Sequence, residues 1–227
     1  MPELKFTGFT PATFQFFEDL KKNNNKLWFD EHKPVYESEI LNRMKALIVA
    51  MTPAMQSIDP KFDFRTNRIL SRIYRDIRFS LDKSPYKTHM WMTFQRFIPN
   101  GKWEDFPAFF MEISAEGYVA GMGLYGSKKK ILDSFREKIG YEQDHFKEII
   151  QPAFDRGYMP GGETYKRPLK NNLPEYFQPW FEFKNAYVIK SNLATEEMLS
   201  EKFAKSLSED FLAMKDLYEF MVDACDI

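Results

Sequence analysis

The spacing of apolar residues changes at Ile69, and this change limits the folds that the chain can adopt. Before Ile69, apolar residues recur every three or four positions, as on the buried face of a helix. From Ile69 to Tyr125 they stand at alternate positions or in short runs between turn residues, which is typical of strands. Because no helical pattern separates these runs, we expect neighbouring antiparallel strands. The sequence therefore predicts an α+β fold.

Helices are predicted before and after these strands in the chain. Thr10 and Pro11 suit the N-cap and the first position of a helix, which should end at Asn23-Asn24-Asn25. A long helix up to Ile58 follows, and Pro53 is a candidate for a kink or a break within it. Further helices are predicted at about Lys128–Ile139 and Gln143–Arg156, and one or two more at about Thr195–Ala224.

The predicted strands belong to one mostly antiparallel sheet. They lie at about Arg68–Arg75 with a continuation towards Phe79, at Thr88–Ile98, in the hairpin arms FPAFFMEIS and GYVAGMGLY, and at AYVIKSN near Tyr187. Residues Gly157–Pro179, which are rich in Gly and Pro, predict a long ordered loop, and such loops are often functional. We interpret residues 1–227 as a single α+β domain with N-terminal and C-terminal helices flanking the sheet.

Composition narrows the class of protein. The chain has 32 Lys and Arg against 33 Asp and Glu, a formal net charge of -1, which disfavours a globally basic nucleic-acid binder. Its one cysteine, Cys225, cannot form an intramolecular disulfide, which fits a reducing compartment. The N-terminus lacks a basic segment followed by an apolar core, and no apolar run approaches the roughly 20 residues that span a bilayer. We therefore predict a soluble, cytoplasmic protein with no membrane partner.

Residues Arg72–His89, here called the charged segment, concentrate opposite charges between apolar residues. Its predicted ligand-binding residues are Arg72, Arg75, Arg78, Asp82, Lys83, Tyr86 and Lys87. The planar fork of Arg matches a carboxylate or phosphate, and Lys adds a point charge. Asp76 is predicted either to orient these groups or to act as a catalytic base. The alternative is an internal salt-bridge network, although isolated surface pairs contribute only about 0–1 kcal/mol.

Three further features are assigned to the same site. His89 is a candidate catalytic acid or base, because the unperturbed pKa of His is about 6.5, or else a packing residue. The turn Ser84–Lys87 either holds the ligand-binding groups rigidly or only reverses the chain. Lys166 and Arg167 lie in the Gly- and Pro-rich loop, where they either close over the ligand as a lid or form a solvated basic surface.

Four motifs together resemble a known family. They are NNNKLWFDEHK (Asn23–Lys33), the charged segment, VAGMGLY (Val119–Tyr125) and KRP (Lys166–Pro168). In this order, spread over nearly the whole chain, they resemble the domain of unknown function 2461 family of bacterial and fungal proteins. The resemblance implies an α+β fold. Because the family has no assigned activity, the resemblance implies no catalytic residue.

Other common chemistries lack the residues that they need. The sequence has no HExxH, paired CxxC, Walker-type loop or GxSxG motif, and three histidines with one cysteine make a zinc site improbable. The glycines of Gly121–Gly126 do not match a known phosphate loop, so close strand packing or a bulge is favoured. We predict neither a cofactor nor a metal.

Two functions from different classes stay open. The first is a protein that binds a small anionic ligand, and whether it also catalyses a reaction is undecided. The second is a nucleic-acid or protein-interaction module, in which Tyr74, Tyr86, Trp91 and Phe97 stack on bases beside the cations. The near-neutral charge makes nucleic acid the weaker candidate. A purely structural ion network is a third interpretation, and the sequence does not determine the oligomeric state.

Overall fold

The computed structural model describes residues 5–78, 81–99, 103–193 and 196–225. Its centre is a five-stranded antiparallel sheet in the order β1-β2-β3-β5-β4. The strands are β1 His89–Phe94, β2 Ala108–Ser114, β3 Gly117–Leu124, β4 Met159–Gly161 and β5 Ala186–Leu193. Helices precede, interrupt and follow these strands in the chain, so the predicted α+β class with flanking N-terminal and C-terminal helices is confirmed.

The helices fall into an N-terminal group, a central pair and a C-terminal group. They are α1 Pro11–Lys22, α2 Lys26–Val35, α3 Asn42–Ile58, α4 Thr66–Ile69, α5 Lys129–Tyr141, α6 Gln143–Asp155, α7 Pro179–Glu182, α8 Lys202–Ala213 and α9 Lys215–Asp223. Short 3-10 turns cover Trp103–Asp105, Glu175–Phe177 and Glu196–Leu199, and the predicted helix start at Thr195 lies outside the described residues. In the described part of the chain, no helix has the length and apolarity needed to cross a membrane.

The N-terminal helices begin and end largely where the sequence predicts. α1 starts after Thr10 and stops at Asn23, and the Asn25 side chain caps α2 by accepting a bond from the Trp28 amide. Pro53 does not divide the long helix into two elements, because α3 continues through it. The departure from regular α-helix lies earlier, in a π-helical turn at Tyr36–Leu41 that joins α2 to α3.

The predicted strand at Arg68–Arg75 is wrong. α4 occupies its start, and the following residues make only isolated bridges, Leu70 with Met92 and Tyr74 with Tyr86. The alternating apolar residues wrongly indicated a strand here. Ile69 and Ile73 are buried, but no continuous ladder of strand hydrogen bonds joins this part of the chain to the sheet. Phe79, the predicted end of the strand, lies outside the described residues.

The two faces of the sheet have different surroundings. Side chains at alternate positions, such as Met92, Met111 and Met122, are fully buried in the core that the helices cover. The side chains between them point to the other face, here called the open face, and are only half-buried. Those of the open face are His89, Trp91, Thr93, Phe110, Glu112, Val119, Tyr187 and Ile189. A site that needs solvent access can therefore form on this side of the sheet.

Candidate functional site

The charged segment is held in place by the turn between α1 and α2. The Asn24 side chain donates to the Tyr86 carbonyl at 2.9 Å and accepts from the Tyr86 amide at 3.1 Å. The Tyr86 ring is buried and stacks on Phe29, with ring centroids 4.0 Å apart. Tyr86, predicted to touch a ligand, therefore anchors the segment to the helices. The turn at Ser84–Lys87 is thereby fixed at its centre.

Three cations of the charged segment lie close together, and we call Arg72, Arg75 and Lys87 the cationic cluster. The Lys87 ammonium donates to the Arg72 carbonyl at 2.8 Å and stands 4.0 Å from the centre of the Trp91 ring. The Arg75 guanidinium pairs with Asp82 at 3.1 Å, while its buried Nε lacks a hydrogen-bond partner among the described residues. The cluster therefore retains an unused donor beside the first residues of β1.

The electrostatics of the cluster show like charges in close proximity. Burial lowers the pKa of Lys87, and repulsion from Arg72 and Arg75 lowers it further. Burial also lowers the pKa of His89; Glu112, 4.0 Å away, opposes that shift, and Lys87 and Arg75 add to it. The imidazole of His89 is therefore biased towards its neutral form, in which it can accept or donate a proton.

The remaining predicted ligand residues of the segment have their charges engaged elsewhere. Arg78 makes a two-pronged contact with Asp76, at 2.9 and 2.6 Å, and this pairing lowers the pKa of Asp76 to about 2. A carboxylate with so low a pKa is a poor base, so the geometry favours the orienting role among the two predicted for Asp76. Lys83 donates to the Ile77 carbonyl at 2.8 Å, and Asp82 also accepts from the Ser84 amide.

Lys166 and Arg167 are not brought to the charged segment. Their loop pairs with α7, through bonds from the Tyr165 amide to the Glu182 carbonyl and from the Leu169 amide to the Phe181 carbonyl. The loop follows β4, which is the edge strand opposite β1. Four strand spacings of about 4.8 Å separate those edges. Both side chains are exposed, which agrees with the alternative prediction of a solvated basic surface.

The open face carries a cleft of about 440 Å³ that the sequence did not reveal. Its lining is Trp91, Thr93, Ala108, Phe110, Glu112, Val119, Gly123, Tyr125, Tyr187 and Ile189. The cleft shares Trp91 with the cationic cluster, because the Lys87 ammonium lies over that ring. One end of this aromatic cleft therefore lies next to the cationic cluster. His89 and Glu112 are close to the same end.

The glycines of β3 shape this cleft. A Cβ atom on Gly121 would lie 2.4 Å from the Val188 carbonyl oxygen and 2.7 Å from the Phe110 ring. The Phe110 ring occupies that space and meets the Tyr187 ring edge-on at 6.5 Å, although β3 runs between their strands. The prediction of close strand packing at these glycines is confirmed. A signal for the cleft was present in the alternating aromatic residues of three strands, but the sequence did not show that they share one uncovered face.

The comparisons with known proteins identify a family. The family model described as "Conserved hypothetical protein (DUF2461)" matches residues 12–220. The chain belongs to the DUF2461 family. A search of curated proteins found no match. A search of solved structures found none either.

Three of the four motifs that resemble the DUF2461 family meet in space. The first motif supplies Asn24 and Phe29, which hold the charged segment through Tyr86. The charged segment leads into β1, and the glycine-bearing strand β3 forms part of the open face beside it. Only Lys166–Pro168 lies apart, near α7. Three of the motifs in this DUF2461 protein therefore meet near the start of β1.

Proposed function

We propose that the protein binds a small cytoplasmic molecule that carries a carboxylate or phosphate group, and that Arg72, Arg75 and Lys87 hold this group. The observation that carries the proposal is the crowding of the three cations. Arg72 and Arg75 both repel Lys87, and among the described residues no carboxylate forms an ion pair with Lys87. An anion placed there would replace repulsion by attraction and would stabilise all three charges.

The free donor of Arg75 supports the same position for the anion. Its Nη2 is engaged with Asp82 and reaches the Tyr86 carbonyl at 3.4 Å, whereas Nε is buried and unpaired within the described structure. A buried donor without a partner costs roughly 1–3 kcal/mol. A ligand oxygen that accepted this bond, after a small rotation of the side chain, would remove that cost.

His89 is the group through which binding could become catalysis. It lies on the open face beside Trp91, with ring centroids 5.5 Å apart, and faces Glu112 on β2. A histidine with a lowered pKa next to a carboxylate can act as a general base on a bound molecule. The proposal assigns binding to the cationic cluster and leaves His89 as the candidate acid or base.

The contacts of the aromatic residues favour a small molecule over a nucleic acid. Base stacking needs uncovered rings. Of the four rings predicted to stack on bases, Tyr86 is buried against Phe29 and the Trp91 ring carries the Lys87 ammonium, whereas Tyr74 and Phe97 are exposed. A nucleic-acid interface would have to displace these contacts, so it remains the second candidate.

The test is an NMR titration of the folded protein with sodium acetate and sodium phosphate. We expect the pKa of His89 to rise and the Trp91 indole signal to shift, because a bound anion offsets the field of Lys87 and Arg75. Binding should weaken as the pH rises through the pKa of His89 and then that of Lys87, since each loses its charge. Lys87→Met should weaken binding at least tenfold.

Two controls separate this site from general charge effects. Lys205→Met removes an exposed lysine of α8 that pairs with Glu209, so it changes net charge equally and should leave the titration unchanged. Sodium chloride at matched ionic strength controls for screening. Equal responses of the wild-type protein to chloride, acetate and phosphate would contradict the proposal. Tight, steeply salt-dependent binding of a single-stranded oligonucleotide would favour the second candidate.

A further inference from the structure

The open-face cleft begins where the cationic cluster ends, and this adjacency restricts the ligand. Trp91 belongs to both, with the Lys87 ammonium on its ring and its side chain in the lining of the cleft. The β2 partner of Trp91 is Glu112, which also lines the cleft. A molecule whose anionic group sits in the cluster has this cleft as the adjacent space for the rest of its atoms.

We propose that the ligand is an aromatic anion, whose carboxylate or phosphate sits in the cationic cluster while its flat apolar body lies in the open-face cleft. The inference rests on the proposed function, because it needs the anion site at Arg72, Arg75 and Lys87. It adds the chemical class of the ligand body, which the cluster alone does not specify.

The lining of the cleft matches a flat apolar body. Phe110 and Tyr187 meet edge-on over the backbone of β3, and Tyr125 lies 6.1 Å from Tyr187. Rings in such positions offer faces and edges to a further aromatic ring, and this attraction adds to the burial of apolar area. Ile189 and Val119 extend the same apolar surface. An aliphatic chain would also be buried here but would not gain the ring contacts.

The size of the cleft sets an upper limit on the ligand. Its volume is about 440 Å³, whereas an apolar cavity of about 150 Å³ is enough to hold benzene. One or two fused rings with a short acidic group therefore fit.

Charge within the cleft favours a ligand with one anionic end. Glu112 is half-buried in the lining, and the His89 imidazole lies 4.0 Å from its carboxylate. A second negative group on the ligand body would meet this carboxylate and be repelled. The charge distribution is therefore complementary to a molecule with its anion beside Lys87 and an uncharged ring system over Phe110.

The experiment compares matched aromatic and aliphatic anions by calorimetry on the full chain. The probes are 2-naphthoate against acetate, and phenyl phosphate against methyl phosphate. We expect each aromatic probe to bind at least tenfold more tightly than its aliphatic match. Phe110→Leu should weaken the aromatic probes at least fivefold and leave the aliphatic probes unchanged, whereas Lys87→Met should weaken all four.

A matched variant controls for the loss of an aromatic side chain. Phe97 is exposed, lies under Arg65 and is outside the lining of the cleft, so Phe97→Leu should change none of the four affinities. Val119→Phe gives a second measurement, because it fills the cleft while leaving Lys87 in place. It should weaken the aromatic probes selectively, and a thermal melt of each variant verifies that it is folded.

The outcomes distinguish this inference from the proposed function. Equal affinity for aromatic and aliphatic probes, with both weakened by Lys87→Met, would overturn the inference and keep the anion site. Aromatic binding that Lys87→Met leaves unchanged, or no binding by any probe, would overturn both. A dimer formed through the open face would also overturn the inference, because a second copy would then occupy the cleft. In that case the wild-type protein sediments as a dimer, Val119→Phe gives monomers, and the probes do not compete with dimer formation.

Discussion

At the scale of single residues, two buried carboxylates join parts of the chain that are far apart in sequence. Asp59, at the end of α3, accepts bonds from the Tyr218 hydroxyl at 2.5 Å and from Arg96 at 2.6 Å. Asp210 on α8 accepts from Arg156, Lys190 and Tyr158 at 2.9 to 3.1 Å. Buried charges persist only when they are paired in this way. Asp59 therefore joins α3 to α9 and to the residues that follow β1. Asp210 joins α8 to β5 and to the residues between α6 and β4.

We predict that Asp59→Asn removes part of the acid sensitivity of the protein. Burial raises the pKa of Asp59, but the bonds from Tyr218 and Arg96 outweigh it, and the pKa falls below its ordinary value. A lowered folded-state pKa stabilises the protein above the unfolded-state pKa, and this contribution is lost as the pH falls through the folded-state pKa. Asp59→Asn should cost about 1–3 kcal/mol at pH 7 and flatten the pH dependence of the unfolding free energy below about pH 4.

Urea unfolding between pH 2 and pH 8 measures this effect. Asp144→Asn is the matched control, because the Asp144 side chain is fully exposed and its nearest cation, Lys147, is 3.9 Å away. The control should follow the wild-type curve. An Asp59→Asn protein with wild-type stability and an unchanged pH slope would show that the Tyr218 and Arg96 bonds contribute nothing net.

At the scale of elements, the turn between α1 and α2 positions the charged segment against β1. Asn24 replaces the backbone partners that Tyr86 would find in a regular sheet, since it satisfies both the amide and the carbonyl. The segment adds its own short pairings, from the Arg75 amide to the Pro85 carbonyl and from the Lys87 amide to the Ile73 carbonyl. The cationic cluster is therefore set by a side chain from another element as well as by its own backbone.

We predict that Asn24→Ala loosens the charged segment more than it destabilises the whole protein. The loss of two hydrogen bonds to a part-buried backbone should cost about 1–2 kcal/mol. Hydrogen exchange at the Tyr86 and Lys87 amides should accelerate at least tenfold. Asn23→Ala is the control, because the Asn23 side chain donates to the Asp19 carbonyl of α1 and makes no hydrogen bond to Tyr86 among the described residues. Unchanged exchange at both amides in Asn24→Ala would sink the idea that Asn24 holds the segment.

At the scale of the whole molecule, one hydrophobic core includes both ends of the described chain. Its buried residues run from Phe6 to Ala224 in sequence. The Phe9 amide donates to the Met198 carbonyl at 2.8 Å, and the Phe9 and Phe203 rings lie 6.0 Å apart. Because the first and last helices share this core, neither half can lose its structure without exposing apolar surface of the other.

We predict a single cooperative unfolding unit. The slowest-exchanging amides of α3, β3 and α9 should report the same opening free energy, equal to that of global unfolding by urea. Hydrogen exchange across a urea series measures this element by element. Amides of α3 that open at clearly lower free energy than those of β3 would instead show that the N-terminal helices unfold separately.

The local patterns of the chain determined most of its elements. The Thr10-Pro11 start of α1, the Asn23–Asn25 stop, the hairpin of β2 and β3 and the strand near Tyr187 follow from capping, turn and alternation rules. These rules concern residues that are close in sequence, so a single chain displays them directly. The charge pattern of Arg72–His89 likewise indicated where cations concentrate.

Only the tertiary structure decided which of those charges act together and what lies beside them. Arg78 and Asp76 pair with each other, whereas Arg72, Arg75 and Lys87 approach one another because backbone pairing folds the segment back on itself. Lys166 and Arg167 lie near the opposite edge of the sheet. The open-face cleft depends on which face the helices leave uncovered. Such proximities arise from packing between residues far apart in sequence, and local spacing carries no information about them.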